Sequence, residues 1–376
     1  ISLRYGLRAV RLCSALVCCV SLGVMRFLPV GLGVGCYITP SAAAYLAIVA
    51  TALPIFQFSI FGAGMLRSSG NMVVPSVMSV VMMSLDVVFN FFLIFPTRPV
   101  QLFGAEVTIP GMGMGVVGAA IGTVSAELVA ASITMYILCF RSKELSLRID
   151  TGRFLPTWGV VKRALHISLP MGLQQTIMCS AYVMTTIIIA PLGTFAIAAN
   201  SFGVIVESLC YMPGYGIADA ATTLVGQSIG AGRHELMKRF AWLSVGLGVT
   251  VMAVMGVVMY VGAPVAMAMM TPAEEVRRLG VEVLRIEAFA EPMFAAAIVS
   301  YGVFVGAAKT LVPSIMNLVS IWGVRISLAA LLAPSMGLRG VWIAMCIELC
   351  FRGFIFLVKL KFWNIQTSCN HYGKDQ

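Results

Sequence analysis

Several carboxylic acids lie within long apolar stretches of this sequence, and three of them, Glu207, Asp219 and Glu291, are candidates for ion binding. An ionisable side chain is costly in hydrocarbon, so its presence there indicates a function by default. Desolvation favours the protonated form of a carboxyl group, whereas a nearby cation favours the charged form. A carboxyl group that exchanges a proton for a cation has the chemistry of an ion exchanger. The alternative for Glu207 is a structural carboxylate that is bonded to a neighbouring helix.

Two further polar residues share a helix face with Glu207. Asn200 lies seven residues before it and Tyr211 four residues after it, a spacing that aligns side chains along an α-helix. Asp219 follows Pro213 and two glycines. The proline frees a backbone carbonyl, and the glycines allow the helix to bend. This pattern predicts a flexible helix with Asp219 facing a cavity. An aspartate that only faces water or pairs with another helix fits the sequence equally well.

A second pair of acids is spaced by one helical turn. Glu287 and Glu291 are four residues apart, and Glu291 immediately precedes Pro292, which is expected to kink the helix. Two carboxyl groups at this spacing could share one proton. Glu287 could instead lie at the membrane interface beside Arg285.

The other polar residues of the apolar stretches are expected to connect helices or to line a path. Gln174, Gln175 and Asn200 could line a substrate path, although bonding between helices is the commoner role of such residues. Arg325 and Glu348 lie at similar distances from a turn near residue 336. Since antiparallel helices place them at similar depth, we predict a structural ion pair between them.

The composition identifies the environment of these groups. The chain has 376 residues, of which 60% are hydrophobic and 11% charged, and its mean hydropathy is +0.96. Ordinary globular domains are about 25% charged. The sequence therefore predicts an all-α polytopic membrane protein whose main partner is the lipid bilayer.

Ten apolar segments are long enough to cross a bilayer. They lie at about 7–30, 41–65, 74–96, 114–140, 165–190, 195–225, 238–262, 281–306, 312–335 and 338–362. An even number places both ends on one side, and that side then carries most of the 25 Lys and Arg residues. Both ends are therefore predicted to be cytoplasmic. The net charge of +10 is explained by this topology, so no nucleic-acid partner is expected.

The chain contains an internal repeat. Residues 45–81 align without gaps on residues 283–319, with matching prolines and glycines. The two copies cross the membrane in the same direction, as in transporters built from parallel repeats. We predict an N-terminal bundle at 1–140 and a cytoplasmic connector at 141–163. A C-terminal six-helix bundle at 164–362 and a cytoplasmic tail at 363–376 are predicted to follow.

Several short motifs in order along the chain resemble those of the multidrug and toxic compound extrusion (MATE) family. In the second half they are LPMGLQQTI, APLGTFAIAANS, VESLCYMPGYG and AATTLVGQSIGAGR; in the first half they are FGAGMLRSSGNMVVPS, DVVFNFFLIF and GMGVVGAAIGT. The resemblance implies twelve helices in two six-helix bundles, of which this chain would lack the first two and hold about four plus six. It also implies export of cationic or amphipathic compounds from the plasma (inner) membrane, in exchange for H+ or Na+, by alternating access.

Within the family, the chain looks nearer the DinF-like prokaryotic branch than the NorM-like one. Met178 and Phe294 stand at two positions where NorM-like members carry an acid for sodium. A NorM-type sodium site is therefore not expected. Apart from the coupling ion, no cofactor is implied, and the protein is expected to act as a monomer.

The same residues also bear on three alternatives: a flippase, an enzyme and a protein with a metal centre. A lipid or polysaccharide flippase of the same superfamily should have a strongly basic cavity, whereas the candidate cavity charges here are mainly acidic. An enzyme is disfavoured because the apolar segments contain no HExxH, paired-histidine or nucleophile motif. A metal centre is not expected either, since the ten cysteines form no CxxC pair.

Overall fold

The computed structural model of the chain describes residues 3–24, 39–102, 105–142 and 158–363. Contacts divide the chain into two compact units, Ile1–Val160 and Val161–Gln376. Residues 143–157 of the predicted connector and residues 364–376 of the predicted tail lie outside the described part. The predicted four-part division of the chain therefore stays a prediction.

In its described residues the first unit contains four long helices and a β-hairpin. The helices are α1 (Leu3–Val24), α2 (Thr39–Ser68), α3 (Val73–Ile94) and α4 (Gly115–Tyr136), and α4 continues into a π-helical turn at Ile137–Arg141. Between α3 and α4, strand β1 (Pro96–Leu102) pairs antiparallel with β2 (Ala105–Met112). The sequence analysis did not predict this hairpin.

The second unit is built from helices of very different lengths. They are α5 (Trp158–Ile189, which begins just before the unit boundary), α6 (Thr194–Gly230), α7 (His234–Met270), α8 (Glu274–Glu287), α9 (Glu291–Gly306), α10 (Leu311–Leu318), α11 (Ser327–Met336) and α12 (Leu338–Lys361). A 3-10 turn, Ala190–Leu192, follows α5, and a π-helical segment, Val319–Ile326, joins α10 to α11.

Within the described residues, nine helical segments are long and apolar enough to cross a membrane. Helices α8 and α9, which are bent by 60° at the break between them, meet the same criteria as a pair, so the ten predicted spans are recovered when this bent pair is counted as one span. The prediction of one helix at 281–306 is therefore wrong. Pro292 has no N–H to continue the hydrogen-bond ladder, and the chain turns at residues 288–290 before α9 begins.

Small residues bring α6 and α9 close together in the second unit. A methyl group on Gly302 would lie 2.6 Å from the carbonyl oxygen of Ala218, so only glycine fits there. The hydroxyl of Thr222 donates a hydrogen bond across the same contact to the carbonyl of Gly302, at 2.8 Å. Close backbone approach with hydrogen bonds between helices is how membrane helices associate without a hydrophobic driving force.

Helix α7 supports the bend between α8 and α9 in a similar way. A methyl group on Gly256 of α7 would lie 2.7 Å from the carbonyl oxygen of Ala288, within the bend. The outer face of α7 carries large apolar side chains such as Leu243 and Val261, which are 68% and 70% exposed. One side of α7 therefore packs against the interior of the unit, and the other side is apolar enough to contact lipid.

Candidate functional site

Glu207 lies in the interior of the second unit. Its helix, α6, runs unbroken through Pro213, and the residue is 6% exposed. Arg325 and Arg352 are both within electrostatic range of its carboxylate. The structure therefore places the acid singled out by the sequence in a buried position with two cations nearby.

Glu287 and Glu291 lie on either side of the bend between α8 and α9. Each is 1% exposed, and none of their four carboxylate oxygens accepts a hydrogen bond from a described residue. Both are within electrostatic range of Glu207 and of each other. Glu287 is buried within the protein, whereas its neighbour Arg285 is exposed and lies over the ring of Tyr260, so the two residues have different surroundings.

The predicted geometry of this acid pair also needs correction. Glu287 ends α8 and Glu291 begins α9, so the two side chains are not stacked on one continuous helix. Among the described residues, no group of three or more His, Cys, Asp and Glu side chains is arranged to hold a metal ion. We call Glu207, Glu287 and Glu291 the acidic cluster; its members interact over distance and do not converge on one point.

Aromatic rings follow two members of the acidic cluster along the chain and pack against each other. Tyr211, one turn after Glu207, packs edge to face against Phe294 with ring centroids 5.6 Å apart. Tyr211 also contacts Tyr215 in the same manner, at 5.7 Å. The guanidinium of Arg352 lies 5.4 Å from the centroid of Phe294. The predicted alignment of Tyr211 with Glu207 thus brings an aromatic ring to the edge of the cluster.

The ion pair predicted between Arg325 and Glu348 does not form. Glu348 instead pairs with Arg352, one turn further along α12, with Nε 3.0 Å from Oε1 and the terminal nitrogen donating to Oε2 at 3.3 Å. The hydroxyl of Ser320 donates to Glu348 at 2.6 Å. Arg325 contacts the sulfur of Met345. The prediction assumed a regular helix, whereas the wider π-helical turns of Val319–Ile326 change which side chains face α12.

A cavity of about 220 Å³ opens beside this region. Its lining includes Tyr182, Thr185, Thr186, Asn200, Arg325 and Trp342. Asn200 accepts a hydrogen bond from the indole N–H of Trp342, at 3.1 Å. Asn200 therefore lines a cavity and also connects α6 to α12, so its position fits both roles that the sequence left open.

The remaining predicted residues are not part of the cluster. Gln174 accepts a hydrogen bond from the hydroxyl of Ser314 at 2.8 Å, and Gln175 is exposed. Asp219 is also exposed, and twelve residues of α-helix place it about 18 Å along α6 from Glu207. Asp219 therefore lies apart from the acidic cluster, and its predicted role in ion or substrate binding stays a prediction.

The sequence analysis missed Arg352, Ser320 and Trp342 as contributors to this region. Glu348 and Arg352 are four residues apart in a predicted helix, which is the spacing of an ion pair on one face. That signal was available. No local pattern could have indicated the partners of Ser320 and Trp342, because both bonds join segments distant in sequence.

Comparison with known proteins agrees with this architecture. The sequence model of the MatE family matches residues 170–331. The "Probable multidrug resistance protein NorM" of Thermotoga maritima is 27% identical over 326 residues, covering 85% of this chain and 67% of that protein. A protein of the same name from Xylella fastidiosa is 29% identical over 238 residues, covering 62% and 50%. The chain thus spans between about half and two thirds of the length of these relatives.

A solved structure has the same fold. A MOP superfamily transporter from Pyrococcus furiosus superposes with a TM-score of 0.84 at 19% identity, covering 96% of this chain and 78% of that one. At this identity the likeness concerns the fold. The matched fold is all-α and polytopic, as the hydropathy predicts.

Proposed function

The chain belongs to the multidrug and toxic compound extrusion (MATE) family, and from this premise we propose that the complete protein is a secondary active antiporter. It exports small cationic or amphipathic molecules across the plasma (inner) membrane in exchange for an ion. The "multidrug resistance" names of its relatives support this class of substrate. The family consists of transporters, so an enzymatic function is set aside.

One observation carries the proposal of ion coupling. Glu291 is 1% exposed, yet neither of its carboxylate oxygens accepts a hydrogen bond from a described residue. A carboxylate buried without partners is strongly unfavourable, so the group must hold a proton or a cation. The same argument applies to Glu287. A group that needs such an occupant when buried, and not when hydrated, couples ion binding to conformation.

The arrangement of the acidic cluster favours H+ over Na+ as the coupling ion. Sodium needs several oxygen ligands around one point, and no three carboxylates of the described residues are arranged around one point. A proton needs only one carboxylate oxygen. Arg325 and Arg352, near Glu207, would stabilise the carboxylate once its proton has left.

The 220 Å³ cavity is the proposed contact site for the transported molecule within this unit. Tyr182 and Trp342 offer aromatic surface, while Thr185, Thr186 and Asn200 offer hydroxyl and amide groups. Such a mixture of apolar walls and a few polar groups suits an amphipathic ligand. The described lining contains no acid, so the expectation of mainly acidic cavity charges is not met by this cavity. Its single charged residue is Arg325, and one arginine is less than the strongly basic wall that a flippase for anionic lipids requires.

A vesicle experiment tests the proposal. Proteoliposomes containing the complete protein and a self-quenched cationic dye are diluted into buffer that imposes an inward gradient of H+ or of Na+. We expect the H+ gradient to accelerate dye release over protein-free vesicles. Acceleration by Na+ alone would assign the coupling to sodium, and release that ignores both gradients would contradict antiport. Loss of a fluorescent lipid from the inner leaflet, with no dye release, would support the flippase.

A further inference from the structure

A second cavity lies at the other end of the unit from the short turn between α11 and α12. It has a volume of about 350 Å³ and is formed by the first turns of α7 and the end of α12. The residues that matter for its chemistry are Lys238, Trp242, Lys361, Phe362 and Trp363. It shares no residue with the acidic cluster or with the 220 Å³ cavity.

The two lysines give this cavity a positive charge that the protein leaves available. Lys238 and Lys361 are exposed, and neither forms an ion pair with a carboxylate of the described residues. Arg239 and Lys359 lie close by in sequence and add to the positive field. Glu235, one turn before Lys238, is the single acid of the first turn of α7. The cavity therefore suits an anion.

The aromatic residues add a donor and an apolar wall. The indole ring of Trp363 packs against Phe304 with centroids 5.1 Å apart. Its N–H is buried and donates to no acceptor among the described residues. A buried indole N–H normally finds a partner, so an acceptor oxygen supplied by a ligand would satisfy it. Phosphate oxygens are strong acceptors of this kind.

The depth of the cavity indicates where such an anion comes from. The start of α7 and the end of α12 lie at the face that the charge distribution predicts to be cytoplasmic. Trp and Lys at helix ends sit at the level of lipid headgroups. Trp242 is 46% exposed, and it is followed on α7 by Leu243 and Leu247, which are 68% and 57% exposed. This apolar strip leads from the cavity along the helix, as an acyl chain would lie.

From these features we infer that the cavity binds the phosphate headgroup of an anionic membrane lipid. Lys238 and Lys361 neutralise the phosphate, the indole of Trp363 donates a hydrogen bond to it, and Trp242 contacts the upper part of an acyl chain. A free phosphate ion would use the first three contacts but not the last. The inference does not depend on what the protein transports.

Lipid binding to the complete protein in detergent, followed by native mass spectrometry, tests the inference. The probes are phosphatidylglycerol, phosphatidylcholine with the same acyl chains, and inorganic phosphate. We expect phosphatidylglycerol to bind more tightly than phosphatidylcholine. Since each lysine near a headgroup contributes about 1 kcal/mol, the double variant Lys238→Gln/Lys361→Gln should bind it about 30-fold more weakly.

A matched variant distinguishes binding in the cavity from general electrostatic attraction to the positively charged surface. Arg239→Gln/Lys359→Gln removes the same charge from the same helix ends, but neither residue lines the cavity. It should retain most of the affinity for phosphatidylglycerol. An equal loss of affinity for phosphatidylglycerol in both double variants would contradict a specific site in the cavity. Equal affinity for phosphatidylcholine, or binding of inorganic phosphate as tight as that of phosphatidylglycerol, would overturn the lipid assignment.

Discussion

The guanidinium of Arg352 lies 3.0 Å from the carboxylate of Glu348, one turn away on α12, and the two side chains are 7% and 0% exposed. Ser320 completes the arrangement with a hydrogen bond of 2.6 Å to the same carboxylate. The pair thus joins α12 to the π-helical segment Val319–Ile326. Because both charges are buried, their mutual attraction replaces the water that each has lost.

Breaking this pair should destabilise the protein strongly. Glu348→Gln leaves Arg352 as an uncompensated buried charge, with an expected cost of about 3 to 5 kcal/mol. Thermal unfolding of the purified protein in detergent measures the change. As a control, Arg339→Gln breaks the exposed pair with Glu282, whose side chains are 54% and 31% exposed, and should cost about 1 kcal/mol or less. Equal losses in the two variants would contradict the special role of the buried pair.

Glu207→Gln should abolish ion-coupled export while leaving folding intact. The amide has the shape of a protonated carboxyl group, but it can neither release a proton nor bind a cation. Membrane insertion and unfolding temperature should therefore stay close to the parent, and gradient-driven dye release should be lost. Glu275→Gln, at an exposed site on α8, is the matched control. Normal export by Glu207→Gln at every pH tested would show that Glu207 is structural and would leave Glu291 and Glu287 as the proposed coupling residues.

Gly302→Ala should separate α6 from α9. The added methyl group would lie 2.6 Å from the carbonyl oxygen of Ala218, and relieving that clash would lengthen the hydrogen bond from Thr222. Overpacking of this kind costs about 1 to 3 kcal/mol. Gly216→Ala on α6 meets no described atom within 4 Å, so it should be neutral or stabilise by up to about 1 kcal/mol. A stable Gly302→Ala variant would refute the close contact.

The bond between Trp342 and Asn200 can be measured with a double-mutant cycle. Trp342→Phe removes the indole N–H, and Asn200→Ala removes the acceptor that it reaches at 3.1 Å. Unfolding free energies of the two single variants and the double variant should give a coupling of about 1 kcal/mol. Strictly additive losses would mean that the two groups do not interact in solution.

Much of the fold follows from hydropathy and chain length alone. The ten spans are visible because about 20 apolar residues are needed to cross a bilayer. The bend at Pro292 was expected as a kink within one helix, and the structure separates the two parts completely. The angle of a bend depends on what packs against it, which here is Gly256 of α7. Such a contact between distant segments cannot be predicted from the local sequence.

The candidate site was predictable in its acids but not in its pairings. Glu207 and Glu291 were identified because charge in an apolar segment is rare and therefore informative. The partner of Glu348 was assigned wrongly, since a π-helical segment shifts the faces of a helix without a clear signal in the sequence. Asp219 looked similar to Glu207, and only the three-dimensional structure distinguishes an exposed aspartate from a buried glutamate.

The separation of α8 from α9 also bears on biosynthesis. With 16 residues, α9 is about 24 Å long, which is shorter than the ~30 Å hydrocarbon core, and it begins with a glutamate. Transfer of α9 by itself from the translocating chain into lipid should therefore release little free energy. We expect its insertion to depend on α6 and α7, which are made earlier and pack against it in the folded unit. If both were deleted together, a glycosylation acceptor placed after Gly306 should be modified, because the segment would stay on the luminal side of microsomes.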